Sequence, residues 1–271
     1  MKTIGLIGGM SWESSAEYYR LINRHSKALH GGHHNAKSVL VTVDFAEIEA
    51  LQRAHDWPAL GERMADAARQ LEAAGADLVV LTTNTMHRVH DAIEAAVTLP
   101  FLHIADPTGA ALRDAGVERV ALLGTRYTME LPFYAQRLRE RFGIDVLVPD
   151  ERERADVHRI IYDELCHGIV ARESRGTYVR IIESLAQRGA QAVILGCTEI
   201  TLLIGADDSP LPVFDTTALH AKACRRMGRA LTQRREANAQ NKKPGTGPGS
   251  CRRSAHRSLA LHIVWCAWLR G

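Results

Sequence analysis

The sequence predicts an α/β protein made of two parallel-sheet domains of similar build, facing each other across a cleft. Two observations carry that expectation. Short apolar runs alternate with longer stretches of helical period along the chain. Three of those elements also recur, in order, at nearly one spacing. The length of 271 residues suits one large domain or two small ones, and 46% apolar with 24% charged residues is an ordinary globular composition.

Taken in order, strands are predicted over 3–7, 38–43, 77–82, 100–104, 118–123, 144–148, 191–196 and 212–214. Helical stretches lie between them. Over 57–74, Leu60, Met64, Ala67, Ala68 and Leu71 share one face; over 173–188, Tyr178, Ile181, Ile182 and Leu185 do. Alternation of this kind points to parallel sheets with helices on both faces.

The repeat is internal. Gly75–Asn84 resembles Gly189–Thr198 at an offset of 114, Ile4–Gly8 resembles Val120–Gly124 at 116, and Leu99–Leu102 resembles Leu211–Phe214 at 112. One apolar strand ending in Gly recurs easily by chance. Three in order at a near-constant offset point instead to a duplicated unit and a pseudo-two-fold axis. The expected organisation is a first domain of 1–103 plus 214–233, a second of 104–213 and a tail of 234–271. Ligands in such sheets bind beyond the carboxyl ends of the strands. Thr83 and Cys197 then stand at equivalent places on opposite walls of one cleft.

The net charge of +3 averages two unlike pieces. Residues 234–271 hold eight Lys/Arg and one acid, Glu236, and so carry +7, which leaves −4 on residues 1–233. That body gives no electrostatic case for nucleic acid. Within the tail, Ala237–Ser250 reads as linker or disorder. Leu259–Leu269 is an eleven-residue apolar run, too short to span a bilayer, so no membrane partner is expected. The chain opens on the strand-like Lys2–Ile7 without a leader pattern, and its five cysteines are odd in number and irregular in spacing. Both features lead us to expect a reducing, cytoplasmic setting. His30, His33 and His34 sit in a Gly-rich loop and read as solvated, and neither CxxC nor HExxH occurs. No metal is expected.

Cys197 follows an apolar strand through Gly196, at a strand-to-helix turn. Helix N–H groups there are expected to lower the thiol pKa and make it a usable base; a buried inert cysteine is the alternative. Asn84-Thr85 and Thr198-Glu199 follow the two wall residues. Their side chains and N–H groups suit an anionic carboxylate, or simply cap helices. Gly5, Gly8 and Gly9 before Met10 suggest a nucleotide loop but lack its full spacing. Four lysines precede the tail, none at a convincing Schiff-base position.

Together these residues resemble the aspartate/glutamate racemase family. The matching runs are Ile4–Trp12, Thr83–His87, Gly196–Glu199 and Pro212–Asp215, and the resemblance covers residues 1 to about 231. It implies two Rossmann-like domains with the active site in the cleft between them, a homodimer, and no cofactor. It also implies a two-base mechanism on a small amino acid, with one side chain taking the α-proton from one face and another returning a proton to the other. On this pattern Thr83 and Cys197 are the catalytic pair, with Cys197 the principal base, and Met10, Gln52, Asn84, Thr85, Thr198 and Glu199 contact the substrate. His87, four residues after Thr83, is expected to face it and assist. Glu199 is expected to orient Cys197 or the substrate ammonium.

Three positions depart from the family. Thr83 replaces its first cysteine, Cys166 stands where a lysine is common, and Gln52 stands where some aspartate-specific members carry arginine. Aspartate or glutamate remains the first expectation for the substrate, with a broad-specificity racemase as the alternative. Related folds that racemise hydantoins, isomerise maleate or decarboxylate arylmalonates are further alternatives. So is an amino-acid-binding protein without catalysis.

Overall fold

The computed structural model describes residues 2–224 and 226–228. The tail expected over 234–271 lies outside them. The first half runs β1 (Ile4–Gly8), α1 (Trp12–His30), β2 (Ser38–Thr42), α2 (Phe45–Arg53), α3 (Trp57–Ala73), β3 (Leu78–Leu81), a 3₁₀ turn at Thr85–Val89, α4 (His90–Ala96) and β4 (Phe101–Leu102). The second runs α5 (Ala105–Asp114), β5 (Arg119–Gly124), α6 (Arg126–Glu130), α7 (Pro132–Phe142), β6 (Asp145–Leu147), α8 (Glu151–Arg159), α9 (Arg172–Gln187), β7 (Ala192–Gly196), α10 (Ile200–Leu203) and β8 (Val213–Asp215). Residues 216–224 are helical.

All eight predicted strands form. They make two four-stranded sheets, ordered β2-β1-β3-β4 and β6-β5-β7-β8, and every pairing is parallel. The order is the same in both halves, as the repeat requires. The central strands β1, β3 and β7 are buried at every residue, because helices cover both faces. Edge strand β2 keeps exposed positions. The predicted helices 57–74 and 173–188 appear as α3 and α9. The strand predicted over 100–104 is shorter, since the chain turns at His103, whose carbonyl accepts the Asp106 N–H at 3.0 Å.

Each half opens in the same manner. The first strand ends in Gly, and a hydroxyl caps the next helix. Ser11 accepts from the Ser14 N–H before α1, and Thr125 accepts from the Thr128 N–H before α6. Gly8 lets α1 approach closely, for a Cβ there would stand 2.5 Å from Ser15 Oγ. Each half also hands its last helix to the other. α5 follows β4, yet Ala105 and Leu112 pack with Val120, Leu122, Tyr134 and Leu138 of the second half. The helix at 216–224 follows β8 and returns to the first half. There His220 accepts from Tyr18 Oη (2.8 Å) and donates to the Leu102 carbonyl (2.9 Å). Among the described residues no helix is long and apolar enough to cross a membrane.

Candidate active site

Parallel sheets place the turns after their strands at one edge. Here the turns after β1, β3, β5 and β7 meet in one cavity. Met10 and Ser11 come from the first, Thr83, Asn84 and Thr85 from the second, Thr125 from the third, and Cys197, Thr198 and Glu199 from the fourth. Gln52 of α2 closes one side. A π-helical turn at Ile160–Glu164, continued by Leu165–His167, brings Tyr162 and Cys166 to another. The expected catalytic pair and the six expected substrate contacts therefore line one cavity. Sequence reading missed Ser11, Ser14, Thr125 and Tyr162. Ser11, Ser14 and Thr125 were within reach, since each follows a Gly-ended strand as a cap or within the first turn.

The two halves are joined across the cavity by polar bonds. Ser11 Oγ donates to Glu199 Oε1 at 2.7 Å, and Tyr162 Oη donates to Gln52 Oε1 at 3.2 Å. Thr85 and Thr125 hydroxyls lie 2.9 Å apart. A hydroxyl has one proton, which orders the rest. Ser14 gives its proton to the Thr82 carbonyl (2.8 Å), so Thr198 donates to Ser14 (2.8 Å) and Thr217 donates to Thr198 (2.9 Å). Likewise Thr216 donates to the Leu195 carbonyl and accepts from Asn84 Nδ2 at 3.1 Å. Asn84 Oδ1 is then left buried without a partner. The cavity is about 30 Å³, room for a water or two.

Cys197 Sγ donates to Glu199 Oε2 at 2.9 Å. The thiol pKa is raised well above its ordinary value, first by desolvation, then by the Glu199 carboxylate and by Cys166. The expected lowering is thereby corrected. The helix that was to supply the dipole is only four residues long, and a carboxylate faces the sulfur. Burial, then Glu199, pushes the Cys166 thiol up to about 12. The expectation for Glu199 meets its geometry: it holds Cys197.

His87 needs correction too. It does not line the cavity; its Nδ1 donates to the Thr83 carbonyl at 2.7 Å, and the fully buried ring packs among Phe101, His103 and His220. The hydroxyl of Thr83 is not its partner because the ring points into the core. Asn84 makes no side-chain cap to the turn it opens. Among the described residues no lysine or arginine lines the cavity, and Glu199 is the one carboxylate.

A family model for the Asp/Glu/hydantoin racemases matches residues 7–224. A candidate Asp/Glu racemase from Yersinia pestis is 53% identical, with a TM-score of 0.80 over 84% of this chain and 100% of its own. An aspartate racemase homologue from Pyrococcus horikoshii is 33% identical, with a TM-score of 0.74 over the same shares. The broad specificity amino-acid racemase RacX of Bacillus subtilis is 22% identical over 81% of this chain and 95% of its own. With its duplicated sheets and the cavity between them, the chain belongs to the Asp/Glu/hydantoin racemase family.

Proposed function

We propose that the chain interconverts L and D amino acids without a cofactor, with Cys197 exchanging a proton at one face of Cα and Thr83 at the other. One observation carries this reading. The two side chains stand at equivalent ends of β3 and β7 and line one cavity, which is what nearly mirror-related substrates require. Glu199 takes the Cys197 proton, and the resulting thiolate removes the α-proton from one face. Thr83 is a far weaker acid, so its hydroxyl gives its proton to the other face while taking one from a solvent water; the proton on Glu199 neutralises the hydroxide left in solvent, and Thr83 holds no charge. The N–H groups and hydroxyls of Thr85 and Thr198 suit the α-carboxylate, and the unpartnered Asn84 Oδ1 suits the α-ammonium. Met10 and Gln52 bound the side-chain end.

A second reading of the substrate is favoured by the lining. Among the described lining residues an aspartate or glutamate side chain would meet no cation, and it would face Glu199. The cavity suits a neutral side chain better. We read the protein as a cytoplasmic homodimer. The described cysteines, Cys166, Cys197 and Cys224, are free thiols, in keeping with that compartment. Light scattering tests the dimer.

The decisive assay incubates purified protein, with no added cofactor, with the L and D forms of aspartate, glutamate, glutamine, methionine and leucine. Chiral chromatography should show interconversion, faster for the neutral members. Tight binding with no Cα exchange in deuterated water over hours would make the protein a binder. Loss of maleate without amino-acid turnover would make it an isomerase of another substrate.

A further inference from the structure

The wall that carries Thr83 is held in an unusual way. In an α-helical turn the Thr83 carbonyl would take the His87 N–H. Here the turn is 3₁₀, and that N–H goes to the Asn84 carbonyl at 3.1 Å. The Thr83 carbonyl instead takes the His87 imidazole, 2.7 Å away. Across the cleft, the backbone does the same work: the Cys197 carbonyl accepts the Ile200 N–H at 3.2 Å. One wall is closed by its own main chain and the other by a side chain.

Hydrogen bonds fix the tautomers. A carbonyl only accepts, so His87 carries its proton on Nδ1 and leaves Nε2 as a lone pair. His103 Nδ1 accepts the Ala105 N–H at 3.1 Å, so His103 carries its proton on Nε2. The two rings lie 4.6 Å apart, centre to centre, at 64°. Both are fully buried, and neither Nε2 atom has a hydrogen-bond partner among the described residues. One is an acceptor in need of a donor and the other a donor in need of an acceptor. The surrounding rings are Phe101, His90 and His220. Burial holds both histidines neutral, lowering their pKa well below the ordinary value, with neighbouring imidazoles and Arg137 adding to the effect.

We propose that His87, backed by His103, is a positioning residue that sets the Thr83 wall for proton delivery. The inference rests on the racemase reading above for its kinetic consequence and on the ring geometry alone for its structural one. Without the imidazole, the Thr83 carbonyl is left unpaired and the wall residue shifts. The Cys197 wall, closed by backbone and by Glu199, keeps its place.

The test uses the full chain and the amino acid that turns over fastest in the panel named above. In His87→Ala, racemisation should fall about tenfold or more. Exchange of the α-proton with deuterated water, without inversion, should stay within about twofold on the face served by Cys197. His87→Asn should recover most of the loss. Asparagine reaches a carbonyl four residues back in this same protein, where Asn23 Nδ2 donates to the Tyr19 carbonyl at 2.8 Å. Imidazole ¹⁵N shifts should report His87 as the Nδ1–H tautomer and His103 as the Nε2–H tautomer. Unchanged racemisation in His87→Ala, a parallel loss of exchange and inversion, or no recovery in His87→Asn would overturn the proposal. Reversed tautomers would overturn it even if the alanine variant does not fold. A parent protein with no interconversion at all would instead sink the racemase reading, and the ¹⁵N arm would still decide the histidine pair.

Discussion

The two walls of the cleft come from one repeated unit and have been furnished differently. On the second wall, the Cys197 thiol donates a hydrogen bond to Glu199, which also accepts from Ser11 of the first half. At the matching place on the first wall, Thr85 stands where Glu199 would be, and it meets Thr125, the counterpart of Ser11, hydroxyl to hydroxyl. One wall has a thiol and a carboxylate. The other has hydroxyls and the Asn84 amide, with neutral imidazoles beneath it. The fold is symmetric, but the proton chemistry is not. Thermodynamics bounds what that asymmetry achieves. Enantiomers have equal energy, so kcat/KM is the same in both directions, while kcat and KM separately can differ.

Breaking the second wall has the largest expected effect. Cys197→Ser replaces a thiol by a much weaker acid, and α-proton exchange in deuterated water should fall about 10³-fold or more. Exchange as fast as the parent's would remove Cys197 from the mechanism. Next comes the first wall. Thr83→Ala should cost about 10²-fold in racemisation while leaving non-inverting exchange on the Cys197 face, as read by mass spectrometry alongside chiral analysis.

Glu199→Gln sharpens the comparison by making the second wall neutral like the first. A carboxylate beside a thiol disfavours the thiolate, so removing it should move the Cys197 pKa down. Alkylation by iodoacetamide should then begin at lower pH, while turnover falls about tenfold because the proton acceptor is gone. Turnover and alkylation rising together would mean that Glu199 only hinders the thiol.

The side-chain end offers a smaller change. Gln52→Arg places a cation where Tyr162 now finds a neutral acceptor. Relative kcat/KM for glutamate over methionine should rise about tenfold. An unchanged ratio would put the selectivity elsewhere.

The imidazoles under the first wall make the last prediction. Burial lowers the His220 pKa to about 4, and His87 and His103 shift the same way. The unfolded chain binds protons near pH 6.5, before the folded one does. Stability from these groups is therefore full above that pH and is lost as pH falls toward 4, by about 3 kcal/mol for His220 alone. Thermal melts at pH 7 and 4.5 should show the loss, and His220→Asn should flatten it.

Much of this was legible in the chain. Strands β1, β3 and β7 are covered on both faces, so they read as unbroken apolar runs whatever surrounds them. The offset of about 114 residues paired Thr83 with Cys197 before any coordinates. The orientation of His87 was not legible, since a spacing of four residues suits both an α-turn and the 3₁₀ turn that aims the ring inward. Nor was the π-helical turn that carries Tyr162 and Cys166 into the cleft, because a one-residue widening of a helix leaves no mark in periodicity.

The sequence by itself determined the two sheets, their common order and the residues that would meet at their edges. Those follow from local periodicity and from a repeat, and both are written along the chain. Only the tertiary structure decided the direction of the Cys197 pKa, the pairing of Glu199 with both Ser11 and the thiol, and a lining without a cation among the described residues. Burial and charge act through space, among groups as far apart in the chain as Ser11 and Glu199, and no reading of neighbours along the chain can sum them.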